Sequence, residues 1–356
     1  MKIESLKISP LNLIPQVALS VSYGTYEQLE YALLQIQTDN GLTGLGEASP
    51  DPEVTGETQE STLRVLSAFS ELLIGRDPHQ FRAILSELRT AFPDAPAALA
   101  AVDMALLDLI GQAHHLPVYQ WLGGLSRTAI PLYPVIPMDS PEAMAALAQG
   151  FKDMGAKAMK IKLGSDPQTD VARVTAISEI IGPDIVLRPD INQGWQDAET
   201  ALAAIQSLAN FNIEWIEQPV AADDFTAMAE VCTNTTMPIM ADESCHSAAD
   251  ALKLIEMKAA DIINIKLMKC GGLLGAEAIL AVANAADIPC ILGSMGESGI
   301  GSAAGMHLIA AHPEVIACEL IGPLFLEGDP SQGFMADLAT VSLLVPEGPG
   351  LGVTLK

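Results

Sequence analysis

The spacing of apolar residues changes character twice along the chain. Residues 2–13, KIESLKISPLNL, alternate as a strand does, and YALLQIQTDNGLTGLGEASP reads as two further strands joined at an Asp-Asn-Gly turn. Between them IPQVALSVSYGTYEQ reads as a polar loop. From Glu57 to Gly123 the period becomes helical: residues 58–74, 79–91 and 95–114 repeat apolar positions at i, i+3 and i+4, broken at Asp77-Pro78 and Pro93-Asp94. Strands followed by a helix cluster predict an α+β domain over residues 1–125.

A strand–helix alternation begins near Ile130. IPLYPVIPM supplies a first buried strand and SPEAMAALAQGFKDMG its helix, with Ser140 as cap and Pro141 in the first turn. Six further units follow, and IACELIG ends the series near Gly322. Short apolar runs alternating with helices predict a parallel α/β sheet, here a modified TIM barrel of the (β/α)7β kind over residues 126–325. The tail, 326–356, holds the strand-like pieces ATVSLLVP and LGVTLK and is expected to return to the first domain as edge strands.

Charge recurs where the apolar runs end. AMKIKLG, IVLRPDIN, IEWIEQP, IMADESC, IINIKLMK, CILGSMGES and IACELIG deliver Lys160 and Lys162, then Asp190, Glu217, Asp242, Lys266, Glu297 and Glu319, about 22 to 31 residues apart. A strand, a helix and two short loops consume that length. The carboxyl ends of barrel strands are where such folds keep their chemistry.

Composition narrows the classes. Apolar residues make up 49% of the chain and aromatics 4%, so the core is expected to be aliphatic. The absence of an 18-residue uncharged apolar stretch and of a signal-peptide pattern in MKIESLKISPLNLIP leads us to expect a cytoplasmic protein. Five cysteines, an odd number without a CxxC pair, read as reduced core thiols. The net charge of −26 argues against nucleic acid or an anionic membrane as partner. Of only 11 lysines, Lys157, Lys160, Lys162, Lys266 and Lys269 crowd two strand-end segments, although surface lysines normally scatter.

One acid after a strand is an ordinary solvated loop residue. Three of them, Asp190, Glu217 and Asp242, in adjacent units at matched depth, converge. Hard oxygen ligands without Cys or His select Mg²⁺, with Mn²⁺ as a substitute. Asn192 and Glu243, one or two residues away, are expected to support the ligands. Lys162 on strand two and Lys266 on strand six approach from opposite sides, and flanks as apolar as theirs do not suit snorkelling surface lysines. A small-molecule carboxylate bound at the metal would offer its α-carbon to both, through a metal-stabilised enediolate. A lysine base must be neutral, and the metal, Lys160 and Arg188 are the cations expected to lower its pKa. Two opposed bases permit 1,1-proton transfer, that is, racemisation or epimerisation. A cycloisomerase or a syn-dehydratase would use one lysine alone.

In order, KIK (160–162), RPDIN (188–192), IEQP (216–219), ADES (241–244) and NIKLMKCGG (264–272), with the early GLGEASP and VTGET, resemble the enolase superfamily, muconate lactonizing enzyme subgroup, over nearly the whole chain. NIKLMK with GSMGESGIG is most similar to the dipeptide epimerases. The resemblance implies Mg²⁺, an isomerase acting on a dipeptide or N-substituted amino acid, a homo-oligomer, and an N-terminal capping domain completed by the C-terminal tail. It also implies that loops 17–26 and 51–55 close the site. Tyr23 and Thr55 in those loops, with Glu297, Glu319 and Ile321 at the last strand ends, are the implied substrate contacts; Val17, Ala18 and Leu19 suit a partly apolar group. One departure stands out. Dipeptide epimerases usually hold the substrate ammonium with Asp-x-Asp on strand eight, where this chain has Glu319-Leu320-Ile321. That segment looks more like the muconate cycloisomerase version. A cycloisomerase, or an o-succinylbenzoate synthase/N-succinylamino acid racemase-like enzyme, is therefore the alternative on the same scaffold. No histidine ends strand seven, which argues against a His-Asp base. A Schiff-base aldolase leaves the three acids unexplained. GESGIGSAAG could cradle a phosphate at a helix start, which is the competing reading of the chain as a binding protein.

Overall fold

The structure, a computed structural model, describes residues 1–356. Its first strands are β1 (Ile3–Pro15), β2 (Leu19–Val21), β3 (Gly24–Tyr26), β4 (Leu29–Thr38) and β5 (Thr43–Ala48). β1, β4 and β5 form an antiparallel meander. The expected loop between the first two long strands contains a short hairpin instead, β2 with β3. Three helices follow: α1 (Gln59–Leu73), α2 (Phe81–Ala91) and α3 (Pro96–His114). α3 is apolar almost all round and buried along most of its length, as the central helix of a domain is. By length and composition it could cross a membrane, but here it is core. β5 lies so close to it that a Cβ at Gly46 would come within 1.9 Å of the Ala101 carbonyl oxygen, which explains the glycines of GLTGLGE.

The expected first barrel strand is split. β6 (Ala129–Pro131) pairs antiparallel with the tail, and only β7 (Val135–Ile136) joins the barrel ladder. Pro131, Pro134 and Pro137 withhold the donors a longer central strand needs. Then come α4 (Pro141–Asp153), β8 (Ala158–Lys162), α5 (Pro167–Ile181), β9 (Val186–Asp190), α6 (Ala198–Leu208), β10 (Ile216–Glu217), α7 (Phe225–Asn234), β11 (Ile239–Ala241) and α8 (Ala248–Met257). They are followed by β12 (Ile262–Ile265), α9 (Leu267–Cys270), α10 (Leu273–Ala285), β13 (Cys290–Leu292), α11 (Gly299–Ala311), β14 (Val315–Cys318) and α12 (Gly322–Phe325). β7 to β14 form one eight-stranded parallel sheet in sequence order, a (β/α)7β barrel with a separate N-terminal cap.

The tail divides its allegiance. β15 (Leu326–Glu327) pairs with the end of β1. β16 (Ser331–Gln332) pairs with β19 (Thr354–Leu355), while β17 (Met335–Asp337) and β18 (Ser342–Leu344) form a hairpin that extends β6 at the barrel seam.

Cap and barrel are held together by buried carboxylates that receive backbone N–H groups. Asp103 of α3 accepts from Leu273 N at the start of α10 (2.6 Å). Glu47 of β5 accepts from Ser298 N (2.8 Å) and Gly301 N (3.0 Å) at the start of α11. Both use helix N-termini, whose first N–H groups have no partner within the helix. The barrel floor is closed by Trp215, Met240, Ile262, Ile291 and Ala317, with Tyr133 against them.

Candidate active site

Alternation along β8 turns Lys160 and Lys162 to the same face, into the barrel. Asp190 and Glu217 end the next two strands and are register partners. Asp242 and Lys266 each follow their strand by one residue. One carboxylate oxygen from each of Asp190, Glu217 and Asp242 lies within 4.8 Å of the others, and all three side chains are fully buried.

Four ammonium groups meet these acids. Lys160 Nζ donates to Glu217 Oε1 (3.0 Å) and Oε2 (2.8 Å) and to Glu319 Oε2 (2.9 Å), and lies 2.8 Å from Asp190 Oδ2. Lys162 Nζ donates to Asp190 Oδ2 (2.7 Å) and Asn192 Oδ1 (3.0 Å). Lys266 Nζ stands 2.8 Å from Asp242 Oδ2. Lys269 Nζ donates to Asp242 Oδ1 (2.6 Å) and to the Asn264 carbonyl (3.1 Å).

The electrostatics are those of a crowded acid cluster. Burial works to raise Asp190, but Lys160 and Lys162 bring it down to about 2. Burial and the charge of Asp190 push Glu217 up, and Lys160 offsets this only in part. Burial and the neighbouring Asp242 raise Glu243 to about 7. Burial favours neutral Lys266, yet Asp242 and Glu243 hold it above the ordinary lysine value.

The donor set suits a hard divalent cation. Asp242 Oδ2 and Glu243 Oε2 are buried without a hydrogen-bond partner; the Lys266 contact at 2.8 Å is an ion pair lacking hydrogen-bond geometry. Buried carboxylate oxygens left bare are costly unless a cation takes them. Asp190, Glu217 and Asp242 are the residues that can hold it.

Other candidates fall unevenly. Asn192 links Lys162 to Glu243, donating to Glu243 Oε1 at 3.0 Å, and its carbonyl accepts from Ser22 of the cap loop at 2.5 Å. Arg188 does not face the cluster. It lies on the barrel floor, 3.9 Å from the Tyr133 ring and 4.3 Å from Trp215, paired with Glu214 at 2.7 Å. It thus cannot be the expected tuner of Lys162. Thr55 turns inward on its own loop, accepting from Asp51 N at 3.0 Å, and lies outside the cavity lining. Glu297 accepts from Met295 N at 3.0 Å and from the Ser294 hydroxyl, so it braces the 294–297 loop rather than lining the cavity.

Tyr23, Glu319 and Ile321 do line a cavity of about 670 Å³ over the lysines, shared between cap loops and strand ends. Burial first, then Glu243 and Asp51, raise the Tyr23 phenol, keeping it protonated.

Sequence reasoning assigned no role to three residues that position the cluster. Asn264 Nδ2 donates to Glu217 Oε1 at 2.8 Å. Lys269 repeats the strand-six charge one helical turn after Lys266. Gln218 takes a left-handed φ of 36° and accepts from Asp242 N (3.0 Å) and Ser244 N (3.1 Å). The signals in the sequence were the crowding of Lys269 with Lys266 and a glutamine directly after a strand-end acid.

Residues 143–356 match the enolase C-terminal domain-like family, and residues 8–123 match the N-terminal domain of the mandelate racemase/muconate lactonizing enzyme family. The N-succinyl-L-Arg/Lys racemase of Bacillus cereus is 37% identical, the match covering 100% of this chain and 96% of that protein. The hydrophobic dipeptide epimerase of Enterococcus faecalis is 38% identical over 99% of this chain and 100% of its own. A dipeptide epimerase crystal structure from Enterococcus faecalis, complexed with Mg and L-Leu-L-Tyr, superposes with a TM-score of 0.95 at 38% identity, covering 99% of this chain and 100% of that one. The chain belongs to the mandelate racemase/muconate lactonizing enzyme family of the enolase superfamily, and is an isomerase.

Proposed function

We propose that the enzyme transfers a proton from one face to the other of a carbon α to a carboxylate, epimerising or racemising a dipeptide or N-substituted amino acid. The observation that carries this is the placement of Lys162 and Lys266 on opposite barrel strands, both lining the cavity, with the three acids between them.

Asp190, Glu217 and Asp242 would hold Mg²⁺. When bound, it would supply positive charge for the substrate carboxylate and for the charge that develops as the α-proton leaves. Lys162 or Lys266 takes the α-proton at Nζ, and the other returns one from the opposite face. Asn192 orients Lys162 through its 3.0 Å hydrogen bond. Lys160 counters the charge of Glu217 and Glu319 and stays protonated. Cap loop residues, Tyr23 among them, exclude water from above.

Incubation with dipeptides and N-acyl amino acids in D₂O tests the reading. Deuterium should enter the α-position of both stereoisomers. A cycloisomerase or dehydratase would leave the epimers unexchanged, and that result would reject the proposal.

A further inference from the structure

Asn192 is where the cap meets one of the two lysines. The β2–β3 hairpin ends in a two-residue turn, Ser22-Tyr23, between the paired Val21 and Gly24. Tyr23 lines the cavity, while Ser22 Oγ donates to the Asn192 carbonyl at 2.5 Å. That is the one side-chain hydrogen bond from the hairpin to the barrel. A backbone contact, Met138 N to the Ser20 carbonyl at 2.9 Å, secures β2 to the loop after β7.

The Asn192 carbonyl faces the cap because the chain leaves the ladder there. Asn192 and Gln193 take φ values of 43° and 69°, left-handed conformations that end the extended run of β9. The neighbouring N–H groups stay with β10, Ile191 N donating to the Glu217 carbonyl at 3.0 Å and Gln193 N to the Gln218 carbonyl at 2.8 Å. Asn192 is only 2% exposed, and no protein group other than Ser22 donates to its carbonyl. A buried carbonyl with a single donor is costly to strip of it. Gly164, two residues after Lys162, makes the room: a Cβ there would come within 2.1 Å of the Ile191 carbonyl oxygen and 3.1 Å of Ser22 Cβ.

The side chain of Asn192 works in the other direction. Its Oδ1 accepts from Lys162 Nζ at 3.0 Å and its Nδ2 donates to Glu243 Oε1 at 3.0 Å, so both ends of the carboxamide are fixed. Asn192 is uncharged and stands outside the three-acid cluster, so its hold on Lys162 draws on no carboxylate that a cation would take. Lys266 has no such link. Its ion-pair partner is Asp242 at 2.8 Å, and Glu243 acts on it through charge alone.

We infer that Ser22 is a positioning residue that couples closure of the cap hairpin to the orientation of one base, Lys162, and leaves the other base to the barrel. This rests on the reading above that Lys162 and Lys266 are opposed bases.

The two bases can be read one at a time. In Lys266→Ala only Lys162 removes an α-proton, and in Lys162→Ala only Lys266 does. Ser22→Ala is added to each, and α-deuterium uptake from D₂O is measured at saturating Mg²⁺ and substrate. The probes are N-acetylalanine, N-acetylphenylalanine and Ala-Ala, each with both configurations at the carbon α to the carboxylate. Ser22→Ala should lower kcat of the Lys162 arm by about threefold to tenfold relative to the Lys266 arm, the weight of one hydrogen bond. Ser22→Thr, which keeps the hydroxyl, should bring the ratio back. A serine that merely held the hairpin shut or kept water out would slow both arms alike. Equal losses in the two arms, no loss in either, or a loss confined to the Lys266 arm overturns the assignment of Ser22. If the enzyme with both lysines intact takes deuterium into none of the probes, the proton-transfer reading itself is overturned, and the assignment of Ser22 with it.

Discussion

Lys160 Nζ lies 2.9 Å from Glu319 Oε2, tying strand two of the barrel to strand eight beneath the cavity. The same ammonium serves Glu217 and Asp190, so one lysine balances three buried acids. Removing one partner of a buried ion pair leaves uncompensated charge and costs about 3–5 kcal/mol. Lys160→Ala should accordingly lower the thermal stability of the metal-free protein sharply, and saturating Mg²⁺ should restore much of the loss by taking over Asp190 and Glu217. Thermal unfolding with and without Mg²⁺ checks this; equal losses in both conditions would show that Lys160 does not balance the metal-binding acids.

Opposed bases make a stereochemical prediction. Lys162→Ala and Lys266→Ala should each reduce epimerisation by roughly a hundred- to ten-thousand-fold, the range for losing a general acid–base group. Each variant keeps one base, so each should still wash deuterium into one stereoisomer, and the two variants should choose opposite isomers. Mg²⁺ affinity, measured by calorimetry, should survive in both. Wild-type turnover in either variant would end the two-base proposal.

The strand-end charges were legible in the sequence because period-two alternation and unit length together place Lys162, Asp190 and Glu217 at one depth on one face, with Lys160 one layer below on the same face. Partners were less legible than positions. Arg188 shares its face with Asp190 but sits one layer lower, where Tyr133 and Trp215 from other strands enclose its guanidinium. Thr55 and Glu297 are polar residues in the right loops whose side chains satisfy their own backbone, a local preference that sequence spacing does not reveal. The role of Gln218 was hidden because it depends on a left-handed backbone that no pattern announces. The tail was legible only as strands: that β18 pairs with β6 depends on a long-range register that local spacing does not carry.

Gln218 gives the third prediction. Its carboxamide oxygen receives the N–H groups of Asp242 and Ser244, fixing the loop that presents Asp242. Gln218→Ala should weaken Mg²⁺ binding by about 10- to 100-fold, as losses of supporting hydrogen bonds do. At saturating Mg²⁺ most of kcat should return. A metal titration of activity separates the two effects, and a kcat deficit that persists at saturation would place Gln218 in the chemistry instead.

Glu47 makes stability depend on pH in an unusual direction. Burial raises it from 4.5 to about 7, against the lowering effect of its Ser298 and Gly301 hydrogen bonds. Between those values the folded protein keeps the proton while the unfolded chain releases it, so the group's contribution to stability is fully present below about pH 4.5 and is lost as pH rises toward 7. Glu57 and Asp103, also raised to about 7 by burial, act in the same sense, so the wild-type slope is composite. Glu47→Gln removes one titrating group and keeps the side chain's size and one acceptor oxygen. Denaturant unfolding at a series of pH values should then show the wild type losing ground to the variant as pH rises through this window, with parallel curves above pH 8. If the difference between the two proteins is constant across the window, Glu47 is ionised throughout and the cap–barrel contact it makes is a charged one.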